Sequence, residues 1–127
     1  MKRVKIVDTG VLIDYLRGTK EAVEYVTQHV DEIKLSAISI SELYAGMRPH
    51  ERVATEAFLS LFDIIPVDGE LARAGGLLKR DYFASYGIGL ADAIIAATAH
   101  QCAAELVTLN TRHYPMFPNL SPPYRRS

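Results

Sequence analysis

Short apolar runs alternate with helical patterns along the chain, and this alternation constrains the fold more than any other feature. Apolar runs of strand length lie at Arg3–Val7, Lys34–Ala37, Asp63–Pro66 and Glu105–Leu109, and a weaker one lies near Met116–Phe117. Continuous apolar runs of this kind are typical of parallel strands that are buried on both faces. The alternation therefore predicts an α/β fold with a central parallel sheet of four to five short strands.

The segments between these runs have the apolar spacing of helices. The predicted helices are Thr9–Leu16, Lys20–Val30, Ser39–Gly46, Glu51–Phe62, Asp68–Tyr86 and Leu90–Gln101. Leu90–Gln101 consists almost wholly of apolar or small residues, so we expect it to be buried. The Gly75-Gly76 pair weakens the prediction in the middle of Asp68–Tyr86. We expect one domain over residues 1–127, with a loose proline-rich end at 118–127.

Composition limits the kind of protein this is. A chain of 127 residues with 49% hydrophobic content suffices for one substantial core. The formal net charge of −1 excludes a polybasic nucleic-acid binder, so any nucleic acid must be held by a local patch. Cys102 has no second cysteine to pair with, which favours a reducing compartment. No apolar window is long enough for a signal peptide or a membrane span, so we expect a cytoplasmic protein without membrane contacts.

Polar residues follow the predicted strands, where an open parallel sheet binds ligands. Asp8 ends the first strand and Glu42 follows the second. Asp92 opens the apolar helix, and Asn110 ends the fourth strand. We expect these four side chains to share one cleft.

Each of these residues also has a structural interpretation. Asp8 is a candidate N-cap, Glu42 forms a capping-box pattern with Ser39, Asp92 complements a helix dipole, and Asn110 is a common turn residue. Asp92 argues most strongly for a functional role, because it is the only charged residue between Asp81 and Glu105. A buried carboxylate needs a partner, here a metal cation or a distant arginine. Oxygen ligands without histidine or cysteine clusters favour Mg²⁺ or Mn²⁺ over zinc.

Four blocks, in this order and spacing, resemble the PIN-domain ribonucleases, and in particular the VapC-like toxins of toxin–antitoxin pairs. The blocks are VDTGVLIDYLRG (7–18), SISELYAG (39–46), LADAIIAATA (90–99) and TLNTRHY (108–114). The resemblance implies a PIN-like α/β/α sandwich and a Mg²⁺-dependent site, with Mn²⁺ as a possible substitute, that hydrolyses RNA phosphodiester bonds. It also implies a cognate antitoxin protein and a homodimer.

The resemblance assigns roles by position in these blocks. Asp8 and Asp92 would hold the metal directly, Glu42 would bind a second metal or orient the attacking water, and Asn110 would help to position that water. Thr9 would support the first acid. The candidates for binding RNA phosphates are Arg17, Arg48 and Arg112. His113 stands where many members of the family carry a further acid, so the resemblance does not decide whether the site holds one metal ion or two.

Other hypotheses fit the residues less well. A haloacid-dehalogenase-like phosphatase needs a second aspartate two residues after Asp8, where this chain has Gly10. A response-regulator receiver needs an acidic pair at the end of the first strand, and Asp8 has no acidic neighbour. The remaining alternative is a catalytically weak PIN-fold module that binds RNA or protein. Asp14 is a weaker site candidate, and Asp68 is predicted to be a plain N-cap.

Overall fold

The computed structural model describes residues 3–125, except for the side chains of residues 83–86. Its strands are β1 (Lys5–Val7), β2 (Ile33–Ser36), β3 (Asp63–Ile65) and β4 (Glu105–Val107). Its helices are α1 (Thr9–Leu16), α2 (Lys20–His29), α3 (Ala37–Gly46), α4 (Arg52–Leu59), α5 (Gly69–Tyr86) and α6 (Leu90–Gln101). Short 3₁₀ turns lie at Pro49–Glu51 and Thr111–His113.

The four strands form one parallel sheet in the order β3-β2-β1-β4, which confirms the predicted fold class. Ile6 of β1 pairs with Lys34 on one side and with Leu106 on the other. The sheet extends from β1 towards β2 in one direction and towards β4 in the other. The direction in which strands are added to the sheet thus switches at β1, and such a switch point is the usual ligand site of an open α/β sheet. Asp8 follows β1 at this point.

Helices cover both faces of the sheet because alternate strand residues point to opposite sides. Val7 and Val107 belong to a core cluster that includes residues of α1, α2 and α4. Their strand neighbours Ile6 and Leu106 belong to a second cluster, which includes residues of α6. Burial on both faces explains why the strands are continuously apolar. Residues 93–99 of α6 are all buried, as its composition predicts.

The prediction of a fifth strand near Met116–Phe117 is wrong, because this segment forms turns in the structure. Pro115 and Pro118 flank it and have no backbone N–H for a ladder, and the Phe117 ring lies 4.5 Å from that of His100. The segment predicted to be loose also has contacts as far as residue 124. Leu120 packs against the second core cluster and Tyr124 against the first.

Two helix starts test the capping interpretations. The Ser36 side chain accepts a hydrogen bond from the backbone N–H of Ile38 and caps α3. Ser39 therefore lies inside the helix, and the capping-box interpretation of Ser39 and Glu42 is wrong. At α5, the Asp68 carboxylate accepts a hydrogen bond from the backbone N–H of Leu71 at 2.9 Å, so Asp68 acts as the predicted cap.

Helix α5 runs without a break through the Gly75-Gly76 pair. A Cβ atom at Gly75 would lie 2.6 Å from Ile94 Cγ1 and 3.0 Å from Ile94 Cα of α6. A Cβ atom at Gly76 would meet nothing within 4 Å. Gly75 is thus the residue that allows α5 and α6 to pack closely. Among the described residues, no helix combines the length and apolar character that crossing a bilayer requires.

Candidate active site

Asp8 lies at the junction between β1 and α1, and only 5% of its surface is exposed. Its backbone N–H donates to the Val107 carbonyl of β4 at 2.8 Å, which fixes the junction to the neighbouring strand. The Thr108 hydroxyl donates to Asp8 Oδ2 at 2.7 Å. The Asp8 side chain makes no capping hydrogen bond to α1, so the N-cap interpretation does not explain its carboxylate.

Glu42 is held from the neighbouring helix. It lies on α3, directly across from the first residue of α1, and the Thr9 hydroxyl donates to Glu42 Oε1 at 2.7 Å. The same hydroxyl lies 3.0 Å from the buried Ser39 Oγ. Thr9 is therefore a positioning group for the second acid, whereas the sequence prediction placed it beside the first acid only.

Asp92 lies in the first turn of α6 and is partly buried. Burial raises its pKa, while the neighbouring charge of His113 and the hydroxyl of Tyr114 lower it. The Tyr114 hydroxyl is near enough to act on this carboxylate, yet it makes no formed hydrogen bond with any residue that the structure describes. His113 Nδ1 is likewise buried and without a hydrogen-bond partner within residues 3–125.

The charges of two acids, Asp92 and Glu42, act on the Asp8 carboxylate. Burial, together with the charges of Asp92 and Glu42, raises the pKa of Asp8 to about 6, against the opposing hydrogen bonds from the Thr108 side chain and the Thr9 backbone. Those hydrogen bonds are too weak to offset burial and repulsion. A group of carboxylates in this state binds a proton or a cation favourably.

Asn110 lies in the loop after β4, close to the residue that binds Asp8. It is exposed, and its backbone N–H donates to Thr108 Oγ1 at 3.0 Å. Thr108 is the residue at the end of β4 whose side chain reaches Asp8, and sequence reasoning missed it. The signal was available in principle, since Thr108 is the first polar residue after the apolar run of β4.

Asp14 binds the C-terminal segment. It is only 6% exposed, and the Tyr124 hydroxyl donates to Asp14 Oδ2 at 2.8 Å. A hydrogen bond to the C-terminal segment thus accounts for this buried carboxylate.

The candidate RNA-binding arginines are all exposed but lie at two different places. Arg17 and Arg48 line a cavity of about 530 Å³ whose apolar wall includes Leu43. Arg112 lines another cavity, of about 640 Å³, together with His113 and Tyr114. Only Arg112 therefore shares a cavity with residues that act on the acidic site.

The oxygen-bearing side chains of the acidic site suit a divalent cation that takes few ligands from the protein. Among the described residues, no three histidine, cysteine or acidic side chains stand together as a complete ligand group. Mg²⁺ does not require one, because it keeps several waters and commonly takes one or two carboxylates. A bound cation would relieve the repulsion that Asp92 and Glu42 exert on the buried Asp8 carboxylate.

Comparison with known proteins places this chain in one family. The sequence model of the PIN domain matches residues 5–116. The chain belongs to the PIN domain family, which confirms the resemblance carried by its four sequence blocks.

Particular members of the family match the chain over nearly its whole length. Ribonuclease VapC19 of Mycobacterium tuberculosis is 42% identical over 125 residues, which cover 95% of this chain and 100% of that protein. Ribonuclease VapC10 of the same organism is 38% identical over 122 residues, covering 94% and 92%. Among solved structures, a toxin–antitoxin complex from Klebsiella pneumoniae superposes with a TM-score of 0.80 at 31% identity, covering 94% of this chain and 98% of that one.

Proposed function

We propose that this protein is a Mg²⁺-dependent endoribonuclease and the toxin of a toxin–antitoxin pair. The observation that carries the proposal is the placement of Asp8, Glu42 and Asp92 at one end of the sheet, where Asp8 is coupled to both other acids. The names of the VapC19 and VapC10 relatives support ribonuclease activity. We also propose the cytoplasm as the compartment, since an RNA substrate is found there.

In this proposal Asp8 and Asp92 hold Mg²⁺, for which Mn²⁺ can substitute. The chemistry that such a cation would supply when bound is polarisation of the RNA phosphate and a lower pKa for water at the site. Thr108 and Thr9 fix the Asp8 and Glu42 carboxylates by their 2.7 Å hydrogen bonds. Glu42 orients the attacking water or helps to hold a second cation, and Asn110 contributes from the exposed loop after β4.

Substrate binding is the proposed role of the exposed arginines. Arg112 lies next to His113 and Tyr114 and is placed to contact a phosphate beside the acids. Arg17 and Arg48 line the other cavity and would hold a more distant part of the RNA backbone. Contacts of this kind bind phosphate without reading base sequence.

The proposed activity predicts metal-dependent cleavage of RNA. Incubating the purified protein with total RNA and Mg²⁺ or Mn²⁺ is expected to give discrete products on a denaturing gel, and excess EDTA is expected to abolish them. Asp92→Asn should cleave about 1000-fold more slowly, because a lost catalytic cation costs several kcal/mol of transition-state stabilisation. Asp14→Asn is the matched control, as it neutralises a buried aspartate that Tyr124 already binds.

The result that contradicts the proposal is a folded protein that cleaves no RNA under any metal condition. Such a protein that still retained RNA in a gel-shift assay would be a PIN-fold binding module instead. Cleavage that persists unchanged in EDTA or in Asp92→Asn would place the activity at a different site or in a contaminant.

We further propose an antitoxin partner and a homodimer. The toxin–antitoxin complex from Klebsiella pneumoniae supports the first, and an arginine of the antitoxin reaching the acids would block them. Val53 of α4 is 80% exposed and Leu61 is 58% exposed, which offers apolar surface for the homodimer.

Light scattering should give twice the 14.1 kDa chain mass for the protein alone. A monomer at micromolar concentration would contradict the dimer, and undiminished RNA cleavage with the antitoxin bound would contradict the blocking role.

A further inference from the structure

The Tyr114 hydroxyl has no role in the packing of the protein. The side chain is 1% exposed, and its ring packs in the second core cluster beside Ile6, Ala93 and Leu106. A phenylalanine ring would fill that space equally well. The hydroxyl oxygen is buried and makes no hydrogen bond with any residue in the described part of the chain. A buried hydroxyl without a partner is unfavourable, so this one calls for a functional explanation.

The surroundings of the hydroxyl are the carboxylates of the acidic site. Burial is the main cause that raises the pKa of Tyr114 far above its ordinary range. The smaller causes are the charges of Asp8, Asp92 and Glu42 and the hydrogen-bonding tendency towards Asp92. In return, the Tyr114 hydroxyl favours the ionised form of Asp92. The Tyr114 ring also belongs to the same core cluster as Ala93, the residue that follows Asp92 in α6, which places the phenol beside the first turn of that helix.

A pattern among the acids supports the same role. Thr108 donates to Asp8 at 2.7 Å, and Thr9 donates to Glu42 at 2.7 Å. Each of these carboxylates has one neutral hydroxyl donor that fixes its orientation. Asp92 is the third carboxylate, and the neighbouring hydroxyl that acts on it is that of Tyr114.

We infer that Tyr114 is a positioning residue of the acidic site, whose hydroxyl donates to the Asp92 carboxylate and orients it towards a bound divalent cation. The inference rests on the proposed function, since it assigns Asp92 to the cation. A neutral donor suits this task because it orients the carboxylate without competing with the cation for its charge.

The test is the affinity of the protein for Mn²⁺, measured by calorimetry without RNA. Tyr114→Phe removes only the hydroxyl, and we expect it to weaken Mn²⁺ binding about tenfold or more. Tyr124→Phe is the matched control, because its hydroxyl binds Asp14 instead of an acid of the site, and its affinity should equal that of the wild type. In cleavage assays, Tyr114→Phe should need about tenfold more Mg²⁺ for half-maximal rate, with an unchanged KM for RNA.

Thermal unfolding distinguishes weaker Mn²⁺ binding from a general loss of stability. For each protein, the rise in Tm on adding Mn²⁺ is compared with its own metal-free Tm, so a general loss of stability does not mimic the result. The inference predicts a smaller rise for Tyr114→Phe alone. Equal Mn²⁺ affinity and an equal rise in Tm for Tyr114→Phe and the wild type would overturn it.

The same measurements separate this inference from the proposed function. A wild-type protein that binds Mn²⁺ in a Tyr114-dependent manner but cleaves no RNA would uphold the positioning role and refute the ribonuclease. A wild-type protein that cleaves RNA but shows no effect of Tyr114→Phe on Mn²⁺ binding would refute the positioning role alone. Failure of the wild type to bind Mn²⁺ would refute both.

Discussion

Replacing Asp8 with asparagine is expected to abolish RNA cleavage and, in the absence of metal, to stabilise the folded protein at neutral pH. The loss of activity should be about 1000-fold or more, since Asp8 is a proposed ligand of the catalytic cation. The gain in stability follows from the pKa of Asp8, which burial and the charges of Asp92 and Glu42 raise from 3.8 to about 6. Function and stability therefore oppose each other at this residue.

The sign of the stability effect follows from proton linkage. The folded protein binds the Asp8 proton more tightly than the unfolded chain does, because the pKa of Asp8 is higher in the folded state. This stabilising contribution is present below pH 3.8 and is lost as the pH rises through about 6. At pH 7.5 the ionised Asp8 destabilises the fold by about 3 kcal/mol relative to its protonated form.

Chemical denaturation in EDTA measures this effect. Asp8→Asn should be more stable than the wild type by about 2 kcal/mol at pH 7.5, allowing for the amide group that asparagine must also accommodate. The difference should shrink towards zero at pH 4, where Asp8 is largely protonated. Asp14→Asn changes a buried aspartate that accepts a hydrogen bond from Tyr124, so it should show no such gain. Equal or lower stability of Asp8→Asn at pH 7.5 would refute the electrostatic account.

Gly75→Ala is expected to destabilise the protein, whereas Gly76→Ala is expected to stabilise it. The added methyl group at Gly75 would lie 2.6 Å from Ile94 Cγ1 and 3.0 Å from Ile94 Cα. The side chain of Ile94 can move only partly, and the backbone contact forces α5 and α6 apart. Such overpacking costs about 1–3 kcal/mol. At Gly76 the space is open, so alanine should contribute its higher helix propensity, up to about 1 kcal/mol.

The free energy of unfolding of both variants, measured by urea titration, tests this prediction. The two substitutions are chemically identical and adjacent in one helix, so Gly76→Ala controls for every effect except the contact with α6. Effects of the same sign would show that the close approach of α5 to Ile94 does not limit the residue at position 75.

The sequence predicted the fold well where local pattern and burial agree. The bounds of α1 and α6 were predicted to the residue, and the four strands were located to within two residues at each end. The pattern failed where tertiary contacts decide the structure. The Gly75-Gly76 pair indicated a weak helix because sequence alone does not reveal that α6 packs against Gly75. Met116–Phe117 has strand-forming residues, but the flanking prolines and the contact with His100 produce turns.

The candidate site, like the fold, could be predicted from the sequence only in part. Asp8, Glu42 and Asp92 could be named from their blocks, and in the structure the charges of Glu42 and Asp92 act on Asp8. Their hydrogen-bond partners could not be predicted, because Thr108 is 100 residues from Asp8 and Thr9 is 33 residues from Glu42. Only strand order and helix packing determine such pairs.

The central claim is that Asp8, Glu42 and Asp92 form one metal-dependent centre for RNA cleavage. The most direct test is the single-turnover rate of RNA cleavage at saturating Mg²⁺ for the wild type, for Asp8→Asn, for Asp92→Asn and for the double variant. Residues that act as one unit are not additive, so each single variant and the double variant should fall to the same residual rate. Losses that multiply in the double variant, or a single variant that retains wild-type activity, would contradict a shared centre.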